Sequence, residues 1–138
     1  MAELKTSVPL KIRFSEVDSM RIVWHGHYAK FFEDAREAFG KRYGLGYMDI
    51  YGAGYYAPLV EMSVKYRKPI LYDMMPEVTV IYRPTEAAKI VLDYEITNPE
   101  NGDLLATGHT VQVFMDLDYQ LVLTNPEFFE NWKRKWNV

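Results

Sequence analysis

One long amphipathic segment near the N-terminus constrains the fold most strongly. Residues 28–44 read "YAKFFEDAREAFGKRYG", and their apolar side chains recur at three- and four-residue steps, which predicts a helix. The stripe consists of Tyr28, Phe31, Phe32, Ala35, Ala38, Phe39 and Tyr43. Gly44 is the predicted C-terminal cap. Because the stripe is bulky, the helix must pack against a wide surface, and a sheet is its natural partner.

Strand patterns flank this helix. Alternation predicts a first strand over Val8–Phe14, and a glycine- and tyrosine-rich stretch at 44–58 predicts a loop. Strands are then predicted at Leu59–Tyr66, Glu77–Arg83, Lys89–Thr97, Leu104–Met115 and Gln120–Thr124, with a hairpin turn at "NPENGD" and a short helix over Pro126–Trp136. Consecutive strands with short connections pair antiparallel. The pattern therefore predicts one α+β domain over residues 1–138, with part of the sheet buried by oligomerisation.

The composition excludes several classes of protein. Lys plus Arg is 16 and Asp plus Glu is 19, a net charge of −3, which argues against a nucleic-acid-binding module. There are no cysteines, so disulfide frameworks, thiolate metal sites and cysteine nucleophiles are excluded. The N-terminus lacks the pattern of a signal peptide, and no apolar run is long enough for a membrane span. We therefore expect a cytoplasmic protein.

The stretch "SEVDSMRIVWHGHY" places Asp18, His25 and His27 just before the helix. One interpretation is a metal site, because two histidines and a carboxylate form a common ligand set. A His-x-His pair suits a strand better than a helix entrance, so the metal interpretation is less favoured. His27 is more simply a capping or hydrogen-bonded residue.

The second interpretation is catalytic. A helix start presents free backbone N–H groups and a partial positive charge, which can stabilise a developing oxyanion. A carboxylate facing it can act as a general base or as a nucleophile. Gly26 would let a substrate approach the backbone closely. The simplest alternative for Asp18 is a turn residue that bonds its own backbone.

Three segments carry a resemblance to a known family. The run "IRFSEVDSMRIVWHGHYAKFFEDAREAF" resembles the N-terminal motif of the hotdog-fold acyl-CoA thioesterases, which include 4-hydroxybenzoyl-CoA thioesterase and the Tol-Pal-associated acyl-CoA thioesterase. The segments "VEMSVKYRKPILYDMMPEVTV" and "ENGDLLATGHTVQVFMD" resemble the second strand and the late hairpin of that family. The resemblance covers roughly Val8 to Thr124.

The resemblance implies a hotdog fold, in which a curved antiparallel sheet wraps a long central helix, and a homodimer or homotetramer with active sites between subunits. It also implies hydrolysis of acyl-CoA thioesters without a cofactor or metal. By position, Asp18 would be the catalytic carboxylate, and the backbone N–H of His25 would polarise the thioester carbonyl. Trp24 and Tyr28 would shape the acyl pocket. Whether Asp18 attacks the carbonyl or activates water stays open.

The sequence departs from the family at two positions and leaves two rival functions open. Arg21 stands where the family has glycine, so its loop is expected to follow a different path, and His27 stands where asparagine is common. One rival is a hydratase or dehydratase on acyl thioesters, with His25 and Glu33 as the proton-transfer pair. Glu33 is also an alternative carboxylate for a thioesterase, since some hotdog thioesterases carry theirs on the helix. The other is a non-catalytic acyl-thioester binder or scaffold. For the phosphates of CoA, Arg67 and Lys68 are the candidate cations.

Overall fold

The computed structural model of the protein describes residues 3–138, which form seven strands and three α-helices. The strands are β1 (Lys5–Pro9), β2 (Tyr55–Tyr56), β3 (Leu59–Tyr66), β4 (Glu77–Arg83), β5 (Lys89–Asn98), β6 (Asp103–Asp116) and β7 (Leu121–Val122). The helices are α1 (Tyr28–Tyr43), α2 (Tyr47–Gly52) and α3 (Glu127–Trp136). The α+β class and the long helix against an antiparallel sheet are therefore confirmed.

All strand pairs are antiparallel, and β6 is the strand on which the others converge. The order β1-β4-β5-β6 forms one half of the sheet, and the opposite edge of β6 carries β3 and β2. Near its end β6 also pairs with β7. Among the residues that the structure describes, β3 has no partner on its other side. Within residues 3–138, β3 therefore presents an open strand edge.

The apolar stripe of α1 packs on the inner face of the sheet. Phe32 stacks on Tyr94 of β5 with ring centroids 4.5 Å apart. Gly108 of β6 lies beneath the same ring, since a Cβ added there would be 2.4 Å from a Phe32 ring carbon. The residues of α1 that are buried are Tyr28, Phe31, Phe32, Ala35, Phe39, Gly40 and Tyr43. Burial of this stripe supplies the main apolar contribution to holding the helix in place.

The C-terminal helix closes the far end of α1. The indole N–H groups of Trp132 and Trp136 both donate to the carbonyl oxygen of Tyr43, at 2.7 Å and 3.0 Å. A helix leaves its last carbonyls without intrahelical partners, so these two bonds satisfy a group that would otherwise need water. Gly44 follows with φ 73°, which confirms the predicted C-terminal cap.

Two predicted segments are wrong. The strand predicted over Val8–Phe14 does not form over that range. The first strand is β1, Lys5–Pro9, and its pairing stops at Pro9. Phe14 is 81% exposed and lies in a short 3-10 turn. Leu10 and Ile12 still face the core. The loop predicted at 44–58 contains α2 and β2. The six-residue α2 is too short for a periodic signal, and its start is marked by the Gly46 N–H donating to the Asp49 carboxylate at 2.8 Å.

Replacing Gly108 with alanine is expected to lower the free energy of unfolding by about 1–3 kcal/mol, because the new methyl group would overlap the Phe32 ring. Urea unfolding measures the change. Gly52→Ala is the matched control, since nothing lies within 4 Å of a Cβ added there. A Gly108→Ala protein that unfolds at the same urea concentration as the wild type would contradict this packing.

Candidate active site

Asp18 lies on a short hairpin just before the helix entrance. Val17 and Val23 form a bridge, and the Asp18 N–H donates to the Ile22 carbonyl at 2.9 Å. The Asp18 Oδ1 accepts the N–H of Met20 at 2.8 Å. Asp18 therefore does act as a turn residue, as the simplest interpretation predicted. Its second oxygen, Oδ2, has no hydrogen bond to any residue within 3–138, so one carboxylate oxygen is available for chemistry.

Arg21 closes the same turn in an unusual backbone conformation. Its N–H donates to the Asp18 carbonyl at 3.0 Å, and its φ is 64°. This is the left-handed region that glycine occupies without steric penalty, whereas a side chain costs about 1–2 kcal/mol there. The expectation that arginine redirects the loop finds no support in this backbone. The turn keeps a conformation that suits glycine, and arginine bears the strain.

Arg21→Gly is expected to raise the free energy of unfolding by about 1 kcal/mol, because glycine relaxes the left-handed backbone. Arg21→Ala is the matched comparison, since it removes the same charge and keeps the Cβ that causes the strain. Chemical denaturation of the three proteins measures the difference. Equal stability of the glycine and alanine variants would contradict the strain at this position.

The start of α1 presents free backbone donors. A 3-10 turn, His25–His27, leads into the helix, and the Trp24 N–H donates to the Glu16 carbonyl at 2.9 Å. The His27 N–H donates back to the Trp24 carbonyl at 3.0 Å. Within residues 3–138, neither the His25 N–H nor the Gly26 N–H has a protein acceptor. Two unsatisfied donors at a helix start form the kind of site that binds an oxyanion.

The indole of Trp24 covers the α-carbon of Gly26. A Cβ added at Gly26 would lie 2.1 Å from a ring carbon of Trp24, so a larger residue would require the indole to move. The rings of His25 and His27 lie 5.0 Å and 5.3 Å from the Trp24 ring. The space beside the Gly26 α-carbon, where we expected a substrate to approach, is thus occupied by the Trp24 ring. Gly26 as a substrate contact stays a prediction.

Tyr28 and Tyr66 form an aromatic wall beside the free N–H groups. Their ring centroids are 4.7 Å apart, edge to face, and the Tyr66 hydroxyl donates to the His25 carbonyl at 2.9 Å. Burial, together with the neighbouring Tyr66, raises the pKa of Tyr28 to about 12. Tyr28 therefore stays protonated near neutral pH. The bond to His25 connects the end of β3 to the helix entrance. This role of Tyr66 could not be predicted from the sequence.

An ion pair between a buried glutamate and a half-exposed lysine fixes the hairpin to the helix, and the sequence did not reveal it. Glu16 is 3% exposed, and its carboxylate pairs with the Lys30 ammonium group of α1. The same carboxylate accepts the Arg13 N–H at 2.7 Å. Burial alone would raise the pKa of Glu16, but the bonds from Lys30 and the Arg13 backbone hold it below its ordinary value. Glu16 therefore stays charged and positions the segment that carries Asp18.

The two predicted cations lie at the end of β3, next to Tyr66. The N–H groups of Arg67 and Lys68 both donate to the Leu105 carbonyl, at 2.9 Å and 3.0 Å. The Lys68 ammonium group lies 3.1 Å from an Asp103 oxygen, and both side chains are exposed. Arg67 has no acidic partner among the described residues and is the freer of the two cations. Their part in binding CoA stays a prediction.

The rival catalytic pair is not formed. The Glu33 carboxylate lies 2.6 Å from the Arg36 guanidinium group, whereas the His25 ring packs beside Trp24 and Tyr66. No group of three or more His, Cys, Asp or Glu side chains in residues 3–138 has an arrangement that would hold a metal ion. The third histidine, His109, lies on strand β6 and bonds Asp93 of β5 at 2.6 Å.

The chain belongs to the thioesterase-like superfamily, whose family profile matches residues 12–132. It is therefore a thioesterase. The Bacillus subtilis (strain 168) protein YneP, provisionally assigned as an acyl-CoA thioesterase, is 28% identical over 123 residues, which cover 89% of this chain and 88% of that protein.

Solved structures show the same fold. The DHNA-CoA thioesterase from Staphylococcus aureus has a TM-score of 0.84 and 28% identity, over 96% of this chain and 89% of that one. Slr0204, a 1,4-dihydroxy-2-naphthoyl-CoA thioesterase from Synechocystis, has a TM-score of 0.82 at 19% identity, over 97% and 98% of the two chains. These similarities support the predicted hotdog-like fold. The narrower resemblance to 4-hydroxybenzoyl-CoA and Tol-Pal-associated enzymes stays a prediction.

No helix within residues 3–138 has the length and apolar character needed to cross a membrane.

Proposed function

We propose that this protein hydrolyses acyl-CoA thioesters to a free acid and CoA, with Asp18 as the catalytic carboxylate. The proposal rests on two features of one segment. Within residues 3–138, one Asp18 oxygen accepts no hydrogen bond, and the N–H groups of His25 and Gly26, seven and eight residues along the chain, have no acceptor. Acyl transfer needs a nucleophile or base on one side of the carbonyl and hydrogen-bond donors on its oxygen. This segment supplies both.

The hairpin sets the spacing of these groups. Asp18 lies opposite Ile22, and His25 lies three residues further along. At about 3.3 Å per residue, this separates the backbones of Asp18 and His25 by roughly 10 Å. In the proposed geometry the thioester group lies in this gap, between the carboxylate and the N–H donors. Direct attack by Asp18 and activation of a water molecule are both compatible with the spacing.

The surroundings of the free N–H groups favour a flat or apolar acyl group. Trp24 and Tyr66 are 46% and 52% exposed, and both lie against His25. Tyr28 packs behind Tyr66. The S. aureus enzyme, 28% identical to this chain, is a DHNA-CoA thioesterase, so a bicyclic aromatic acyl-CoA belongs in any substrate panel. We assign the pyrophosphate of CoA to Arg67 and Lys68, and the location to the cytoplasm.

The two rival functions have weaker support. A hydratase or dehydratase would need His25 and Glu33 as a proton-transfer pair, and Glu33 is engaged by Arg36 instead. A non-catalytic binder would have no use for a free carboxylate oxygen on the hairpin that leads to two free backbone donors. Thioester hydrolysis accounts for both features.

Asp18→Asn is expected to lower kcat by about 10²–10⁴-fold, because the amide can neither attack a carbonyl nor accept a proton. The measurement is hydrolysis of a panel of short, long and aromatic acyl-CoAs, with thermal unfolding to show that the variant is folded. His25→Ala keeps the backbone N–H and should cost less than the Asp18 change.

Equal turnover by the wild type and Asp18→Asn would contradict the role of Asp18. A larger loss in His25→Ala than in Asp18→Asn would point to acid–base work by the imidazole and favour the hydratase rival. Glu33→Gln is a further test, because the hydratase mechanism requires the Glu33 carboxylate, whereas hydrolysis by Asp18 does not.

We also propose that two copies pair through the open edge of β3. This edge lacks a partner, and Leu59 and Val60 at its start are 38% and 58% exposed. Antiparallel pairing of β3 with itself would place the start of one strand beside Tyr66 of the other copy. An apolar groove lined by Met48, Tyr51 and Tyr56 lies next to that start. A second copy would thus add aromatic surface to each site.

Val60→Lys is expected to convert a dimer to a monomer, because a lysine on an edge strand opposes strand pairing. Its side chain is more than half exposed, so the fold should tolerate the change. Light scattering after size-exclusion chromatography gives the mass. Leu123→Lys, at a position that is 81% exposed and outside β3, is the control. A wild-type monomer, or an unchanged dimer in Val60→Lys, would contradict this interface.

A further inference from the structure

Three exposed side chains near the Asp18 hairpin have no part in the chemistry described so far. Phe14 and Tyr72 are 81% and 51% exposed, and their rings meet edge to face with centroids 6.1 Å apart. Arg21 is exposed, and its guanidinium group has no ion pair or hydrogen bond with the residues that the structure describes. Exposed aromatic rings beside a strained arginine invite a functional explanation.

Backbone pairing brings together the segments that carry Arg21 and Tyr72, and we refer to these side chains as the strip. Ile22 forms an antiparallel bridge with Leu71, and the Val23 N–H donates to the Ile70 carbonyl at 2.8 Å. Arg21 and Tyr72 are the residues next to this bridge on its two strands. The Phe14 ring meets the Tyr72 ring edge to face.

Charges are found at both ends of the strip. Arg21 lies at one end, and Arg13, which directly precedes Phe14 and is also exposed, lies at the other. Asp73 follows Tyr72 and is the acidic neighbour of the strip. A ligand that fits this surface has a flat face for the rings and negative charge directed towards the arginines.

We infer that the strip of Arg21, Tyr72, Phe14 and Arg13 binds the adenine nucleotide end of CoA. The base stacks on the exposed rings, and the ribose 3′-phosphate pairs with the guanidinium groups. This inference rests on the proposed function, because acyl-CoA carries both groups and its thioester would lie at the adjacent hairpin. It also explains why arginine occupies a position where glycine would make the fold more stable.

Two substitutions at Arg21 separate charge from backbone strain. Arg21→Gly and Arg21→Ala both remove the cation, but only glycine relaxes the left-handed backbone. If the charge binds phosphate, both variants lose the same affinity although their stabilities differ. Phe14→Ala tests the stacking surface, and Leu123→Ala, at an equally exposed position, is its control.

The measurements compare an acyl-CoA with the acyl-pantetheine that carries the same acyl group and no nucleotide. Each variant in the strip should raise KM for acyl-CoA by about tenfold, leave kcat unchanged and leave KM for acyl-pantetheine unchanged. Calorimetry with adenosine 3′,5′-bisphosphate should show binding to the wild type that weakens in the same variants. Asp73→Asn should leave binding unchanged or strengthen it.

Two results would overturn the inference. One is a wild type that hydrolyses acyl-CoA and acyl-pantetheine with the same KM, and the other is an acyl-CoA KM that does not change in the Arg21 and Phe14 variants. In both cases thioester hydrolysis itself would stand. If the wild type hydrolyses no thioester, the proposed function fails, and the titration with adenosine 3′,5′-bisphosphate decides whether the strip binds a nucleotide. Binding that weakens in the variants supports the nucleotide site. No binding to the wild type refutes the nucleotide site.

Discussion

The packing of α1 on the inner face of the sheet determines where every other part of the site lies. The Phe32 ring stacks on Tyr94 and fills the space that Gly108 leaves open. This close approach fixes the helix along the sheet, and so fixes the position of its first turn. The free N–H groups of His25 and Gly26 belong to the 3-10 turn that leads directly into it. Their direction is therefore set by core packing, which is the rigid support that an oxyanion site requires.

A second contact holds the carboxylate side of the site. Glu16 is buried against Lys30 of α1, and its carbonyl accepts the Trp24 N–H. The Asp18 hairpin and the helix entrance are thereby joined through one residue. Because the Glu16 carboxylate is buried, losing Lys30 would leave its charge without a cation, so this link is costly to open. The strain at Arg21 is tolerated in a turn that is tied down in this way.

The sequence predicted the parts of the fold that have a long or regular pattern. The bounds of β3 and β4 match the structure, and α1 begins at Tyr28 as its apolar stripe indicated. The prediction failed where a single residue overrides a pattern, as Pro9 does in ending β1. It also failed for α2, whose six residues lie among glycines and carry no periodic signal. Of the site, the segment was predictable, whereas the Tyr66 bond to His25 joins residues 41 positions apart and could not be read from spacing.

The most direct test of the account is a structure of the protein with an acyl-CoA analogue in which a methylene group replaces the thioester sulfur. Such a ketone keeps the carbonyl and cannot be hydrolysed. The account predicts its oxygen about 3 Å from the His25 nitrogen, with the Asp18 carboxylate on the opposite side of the carbonyl carbon. A carbonyl bound instead beside Glu33, or an Asp18 oxygen turned away from the ligand, would contradict it.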